Sequence, residues 1–157
     1  MTTIAITETD CAADGWRTWG DQIRGENFKK LHVVDGSIYA FTGLAPLMQK
    51  MIEWHRAGAD PEKLPSAHDK SQEGWTLIVV DHGGIHKLTS SCPYEELFDP
   101  PIAFGAGQDY AMGAMLAGAT AQQAVEIVAK LCNHTGGEIQ NIKIHHALEG
   151  LYKDAAE

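Results

Sequence analysis

Hydroxyls, thiols, imidazoles and one glycine-rich turn are the places where chemistry could start in this chain. The eight histidines are the first to weigh. A zinc site needs three or four converging ligands. His82 and His86 flank a predicted turn and strand, and His145 and His146 are neighbours that would point to opposite faces of a strand. His134 sits near Cys132 with no further ligand in sequence reach. No zinc site is expected from these spacings. Cys132 falls on an apolar helix face, where a thiol is more often core than nucleophile. Gly105-Ala106-Gly107 lacks the Lys-Ser/Thr of a phosphate-binding loop, so tight packing of the turn accounts for it better. Thr2 and Thr3 open a strand, and a threonine hydroxyl is a poor nucleophile without an adjacent base. Asp14 precedes Gly15 as turn formers do, and Lys29-Lys30 stands where solvated cations end a strand. Taken singly, each of these is a structural residue. Only their joint placement could make a site.

The elements that must place them follow from hydrophobic period and turn chemistry. Thr2–Thr7 is β-branched and reads as a strand, with Cys11–Ala13 as a short apolar return. Gly15–Gly25, with Trp16 and Trp19, shows no clear period and is expected to be an irregular loop that could line a cleft or a subunit contact. Phe28–Val34 and Ser37–Thr42 are strands joined by Asp35-Gly36, the strongest short hairpin signal available. Leu44, Leu47, Met48, Met51, Ile52 and His55 share one face of an amphipathic helix that ends near Gly58. The polar stretch 59–73 suits a surface connection. Trp75–Val80 and Ile85–Thr89 form a second hairpin, the Pro-punctuated Cys92–Pro101 follows, and Ile102–Phe104 is a short strand. A helix over 108–116 comes next. Thr120 and Gln123 form a capping box that opens another helix, expected to stop near Gly136-Gly137. Glu138–His146 reads as a final strand. Two sheets with helices outside would bury all these faces in an α+β domain.

The bulk numbers bound the function. A chain of 157 residues is read as one domain, 1–157, able to bury a core without disulfides or metal. The net charge of −9 argues against a nucleic-acid partner, which needs a dense cationic face. Apolar runs such as Leu77–Val80 are far too short for a membrane span, and nothing reads as a secretory signal. Three cysteines without metal-type spacing suggest reduced thiols and a cytoplasmic protein.

Several local signals coincide with one family. Met1-Thr2-Thr3-Ile4, then Ala12-Ala13-Asp14-Gly15, then Lys29-Lys30 resemble the opening of proteasome β-subunits, and above all the bacterial HslV peptidase. Phe104-Gly105-Ala106-Gly107-Gln108-Asp109-Tyr110-Ala111 resembles that family's strand-to-helix turn. The helix through Ala129 into Cys132-Asn133-His134-Thr135 resembles its counterpart. The similarity runs from Thr2 to about Ile144. It implies a four-layer αββα sandwich of two antiparallel sheets, the N-terminal-nucleophile hydrolase fold. It implies a threonine peptidase that self-associates into rings, acts on peptide or unfolded protein, and takes an ATP-driven unfoldase as a candidate partner.

In that scheme Thr2 becomes the nucleophile once Met1 is removed, and its own α-amine serves as base. An α-amine titrates near 7.7–8.0, closer to neutrality than lysine, and a nearby ammonium lowers it further. Lys30 would be that ammonium and Asp14 its partner. The backbone around Ala40 would donate to the oxyanion. No cofactor is required, though the carbonyls of Ala129, Cys132 and Thr135 could hold a monovalent or divalent cation. The chain departs from the family pattern at three points. Ala106 replaces a serine, Ala40 replaces a glycine, and the first hairpin is short. These departures keep two alternatives open, a catalytically silent subunit and an amidase acting on small amides.

Overall fold

The computed structural model describes residues 1–65 and 74–151. Among these residues eleven strands and four α-helices follow in order, besides a 3-10 turn over Pro61–Lys63: β1 (Thr3–Ile6), β2 (Asp10–Ala13), β3 (Arg17–Trp19), β4 (Gln22–Gly25), β5 (Leu31–Val34), β6 (Ser37–Thr42), α1 (Ala45–Arg56), β7 (Thr76–Asp81), β8 (Gly84–Thr89), β9 (Glu96–Phe98), β10 (Ile102–Gly105), α2 (Gln108–Leu116), α3 (Ala121–Leu131), β11 (Gln140–Lys143) and α4 (Ile144–Leu148). One antiparallel sheet runs β10-β1-β2-β11 and another β5-β6-β7-β8-β9, with β3-β4 as a separate ribbon.

Alternation along the strands explains the layering. Ile4, Ile6, Cys11 and Ala13 meet Leu31, Ile38, Ile78 and Val80 in the core between the two sheets. The opposite faces of β1, β2 and β10 carry Ala5, Ala12 and Ala103, small enough for α2 and α3 to settle on them through Met115, Val125 and Val128. Tyr39, Phe41, Leu77 and Val79 point the other way, against Leu47, Met51, Ile52 and Trp54 of α1. The result is the expected αββα order of layers.

Local chemistry sets most of the boundaries. Asp35 (φ 50°) and Gly36 (φ 77°) are both left-handed, as the hairpin signal requires. Thr120 Oγ1 accepts from the Gln123 N–H and Gln123 Oε1 from the Thr120 N–H, so the capping box is formed.

Four expectations need correction. Gly15–Gly25 holds the β3–β4 ribbon rather than an irregular loop. Its strands are largely exposed, so no inside–outside alternation marked them. The strand expected from Phe28 starts only at Leu31, because the Phe28 N–H donates to the Gly15 carbonyl and the Lys30 N–H to the Gln140 side chain instead of to a ladder. The helix expected to run to Gly136-Gly137, α3, ends at Leu131, with Cys132 as its extended, half-buried cap, still packed against the core as expected. Finally, β11 gives way to α4 at Ile144, whose N–H donates to the Thr9 carbonyl. His145 and His146 therefore lie side by side on a helix, 4.1 Å between ring centres and tilted by 55°, instead of facing apart across a strand. The surface connection expected over 59–73 falls partly outside the described residues.

Asp10 ties three elements together. Its buried carboxylate accepts from the Thr7 hydroxyl, the Ala121 N–H at the start of α3, and Asn141 Nδ2 on β11. Burial alone would raise its pKa, yet these donors and the Gln122 N–H hold it below the ordinary carboxylate value. Asp10→Ala is expected to cost about 2–4 kcal/mol in urea unfolding. Because the folded pKa is depressed, that contribution is complete above the unfolded value of about 3.9 and is lost as pH falls through the folded one. The gap between wild type and variant should close in that acid range. A gap that stayed constant to low pH would remove the ionised carboxylate from the account.

Candidate active site

The site is built where β1 begins. Asp14 follows the last residue of β2 and is fully buried. Its Oδ1 accepts from the Thr3 N–H (3.0 Å) and from Lys30 Nζ (2.8 Å), while Oδ2 accepts from the Gly136 N–H (3.3 Å). Lys30 is itself only 4% exposed. Burial pulls its pKa below the ordinary lysine value, and Asp14 works against that shift. The remaining reach of Lys30 Nζ goes to the Met1 carbonyl at 3.0 Å, so the cation touches the Met1–Thr2 peptide unit. The Met1 amine donates to Thr18 Oγ1 at 2.8 Å. Its pKa is lowered by burial and then by Lys30.

The glycine-rich turn after β10 grips the same residues from the other side. The Ala106 N–H donates to the Thr2 carbonyl (2.9 Å). Gly105 has φ 100°, and a side chain there would place its Cβ 1.8 Å from that same carbonyl oxygen. Gly107 is equally confined, since its Cβ would fall 2.1 Å from Val128. Tight packing is indeed what these glycines serve. The buried Thr3 hydroxyl accepts from the Gly107 N–H (3.1 Å) and pairs with Thr135 Oγ1 (2.7 Å), locking β1 to the turn and to the segment after α3.

Thr2, Asp14 and Lys30 are thus brought together, with Thr2 and Lys30 on the wall of a pocket of about 740 Å³. Trp16, Trp19, Phe28, Thr42, Gly43 and Leu44 are among its other lining residues. Ala40 is not part of it. It lies buried in mid-strand on β6, paired with Leu31 on one side and Ile78 on the other, so its backbone belongs to the sheet. The residues of this stretch that line the pocket begin at Thr42, and at Gly43, three positions beyond Ala40, φ is 141° and a Cβ would press on Trp75 and the Gly74 carbonyl. A glycine directly after a strand and before a helix was the available signal. Gln140 was also missed. Its Oε1 accepts from the Lys30 and Leu31 N–H groups, and its Nε2 donates to the Leu31 carbonyl at 2.7 Å. It fixes the backbone from which Lys30 projects.

Ala129, Cys132 and Thr135 mark the carboxyl end of α3, where the Cys132 carbonyl accepts from the Thr135 N–H at 3.3 Å. Elsewhere, His55 Nε2 bonds Glu95 (2.8 Å) and His86 Nε2 bonds Asp81 (2.9 Å). Among the described residues no three His, Cys, Asp or Glu side chains converge as metal ligands.

The threonine-led strand, the buried Asp–Lys pair and the glycine turn sit on an αββα frame that matches solved structures over nearly its whole length. Eukaryotic HslV from Trypanosoma brucei superposes with a TM-score of 0.70, covering 91% of this chain and 98% of that one at 14% identity. The fold is that of HslV. Thiobacillus denitrificans BPH in complex with epoxomicin gives a TM-score of 0.68 at 18% identity, covering 90% of this chain and 96% of that one. A second structure of the same BPH gives 0.66 at 20%. No protein-family model and no curated protein sequence matches the chain. The HslV-like frame is therefore carried by structure rather than by overall identity. No described helix is long and apolar enough to cross a membrane.

Proposed function

We propose that this chain is a proteasome-like threonine peptidase subunit in which Thr2, freed by loss of Met1, is both nucleophile and base. The observation that supports this most directly is the buried Lys30–Asp14 pair, 2.8 Å apart and turned onto the Met1–Thr2 peptide unit at the wall of the pocket. Once Met1 is gone, Lys30 loses its carbonyl acceptor and is left beside the new α-amine. A neighbouring ammonium disfavours a second positive charge, so that amine would be neutral nearer to pH 7 and able to take the hydroxyl proton. The hydroxyl oxygen then attacks the substrate carbonyl. The backbone at Gly43 takes the oxyanion role first expected of Ala40, and the amine returns its proton to the leaving nitrogen.

Self-association into rings around such a site, and an unfoldase that feeds it, belong to the same proposal. So does a cation held by the carbonyls of Ala129, Cys132 and Thr135, at a helix end where the peptide dipole favours positive charge. Ala106, where the related peptidases carry serine, favours the second reading of a silent subunit.

Intact mass before and after treatment with an epoxyketone tests the proposal. Loss of one Met and gain of one adduct, absent in Thr2→Ala, is the expected result. Retained Met1 without an adduct would sink the peptidase reading and leave the silent subunit.

A further inference from the structure

We propose that Arg17 makes this pocket selective for an acidic residue, so that the substrate class is a peptide whose side chain entering the pocket carries a carboxylate. The inference deepens the peptidase reading and rests on it for the identity of the site. Besides the chain's terminal amine, the pocket wall carries two cationic side chains, Arg17 and Lys30, and no acidic residue. Lys30 is neutralised by Asp14. Arg17 is not neutralised: among the described residues it forms no ion pair, and its guanidinium lies over the Phe28 ring, 5.4 Å from the centroid. In a chain with a net charge of −9, an acid-free pocket with an uncompensated guanidinium is a local reversal of sign. A cation–π contact of this kind restrains the side chain while its N–H groups can still pair with a carboxylate.

The ribbon that carries Arg17 is irregular beside the pocket. In a regular strand Arg17 and Thr18 would face opposite ways. Here Trp16, Arg17, Thr18 and Trp19 all line the pocket, and the register of the β3–β4 ribbon shifts between Arg17 and Thr18, with Arg24 of β4 as the extra residue. Irregular pairing of this kind increases the local twist and is common beside sites. Trp16, Phe28 and Leu44 supply the apolar walls that accommodate the methylenes of Glu and lower the local dielectric around the pair.

The test uses the full chain carrying Thr2→Ala, so that no probe is turned over. N-acetyl tripeptide amides that differ only in a final Glu, Gln or Lys are titrated against tryptophan fluorescence, with Trp16 and Trp19 as reporters. Glu is expected to bind about tenfold more tightly than Gln. Arg17→Gln should erase that preference, Arg17→Lys should keep part of it, and Arg17→Glu should turn it toward Lys. Arg17 is exposed, so these variants are expected to fold, and circular dichroism checks that they do. Equal binding of Glu and Gln, a preference that survives Arg17→Gln, or no saturable binding of any probe would overturn the inference. Binding is read without turnover. An acidic preference with no epoxyketone adduct on the unmodified chain would therefore remove the peptidase reading and keep Arg17, and an adduct with no preference would do the reverse.

Discussion

Lys30→Met is expected to abolish epoxyketone labelling of Thr2 and to lower peptide turnover by about a thousandfold or more. The reason is electrostatic. The ammonium that would hold the neighbouring amine neutral disappears, and with it the base. The same substitution leaves Asp14, which is 0% exposed, without its cation. Breaking a buried pair from one side costs about 3–5 kcal/mol, so lost stability could pass for lost chemistry. The double variant Lys30→Met with Asp14→Asn separates the two. Removing both charges spares the fold an unpaired carboxylate, and the amide oxygen that replaces it can still accept from the Thr3 N–H. Most of the stability should return in urea unfolding while labelling stays absent. If labelling returned together with stability, Lys30 would be a structural residue and the proposed proton transfer would have to find another route. Undiminished labelling in Lys30→Met itself would be still more damaging, since it would show that Thr2 needs no neighbouring cation.

How far the sequence could show this site depends on which contacts are local. The hairpin at Asp35-Gly36, the helix over Ala45–Arg56 and the capped start of α3 are each set by residues within one turn of one another, and period and turn chemistry find them. The order of layers follows, because strands with apolar residues on both faces must be covered twice. Thr2, Asp14 and Lys30 were legible only as a trio, through their resemblance to a family. Nothing in Lys29-Lys30 taken alone says that one lysine is buried. Ala40 illustrates the limit. It was placed by counting along the chain, but the short hairpin shifts the count, and the ladder with Leu31 and Ile78 claims its backbone. Gly43, which lines the pocket, is confined for a reason of space that only the folded chain reveals. Gln140 was hidden for the same reason, because it meets Lys30 and Leu31 across 110 and 109 residues of sequence. The β3–β4 ribbon escaped detection because an exposed strand has no buried face to give it a period.

Gly105→Ala should be the most damaging single methyl in the molecule. The added carbon would sit 1.8 Å from the Thr2 carbonyl oxygen, on a backbone whose φ of 100° a side chain already disfavours. That oxygen cannot simply retreat, because it accepts the Ala106 N–H and the next residue pairs across the ladder to Gly105 itself. Either β1 separates from β10 or the turn gives up Thr2. The expected cost is about 4 kcal/mol or more, with labelling lost even in the fraction that remains folded. Ala106→Ser is the informative contrast one residue along. Ala106 is exposed, so a hydroxyl there should shift stability by about 0.5 kcal/mol or less. The family resemblance implies a serine at this position that would position the threonine and relay its proton, so under the proposed mechanism turnover should rise while the melting temperature does not. Wild-type stability and labelling in Gly105→Ala would mean that the turn does not hold the Thr2 carbonyl in solution. A gain of activity in Ala106→Ser would identify the missing serine as the reason for slow chemistry on an otherwise complete site. Unchanged turnover in a well-folded Ala106→Ser would place the proton path wholly on the α-amine and Lys30.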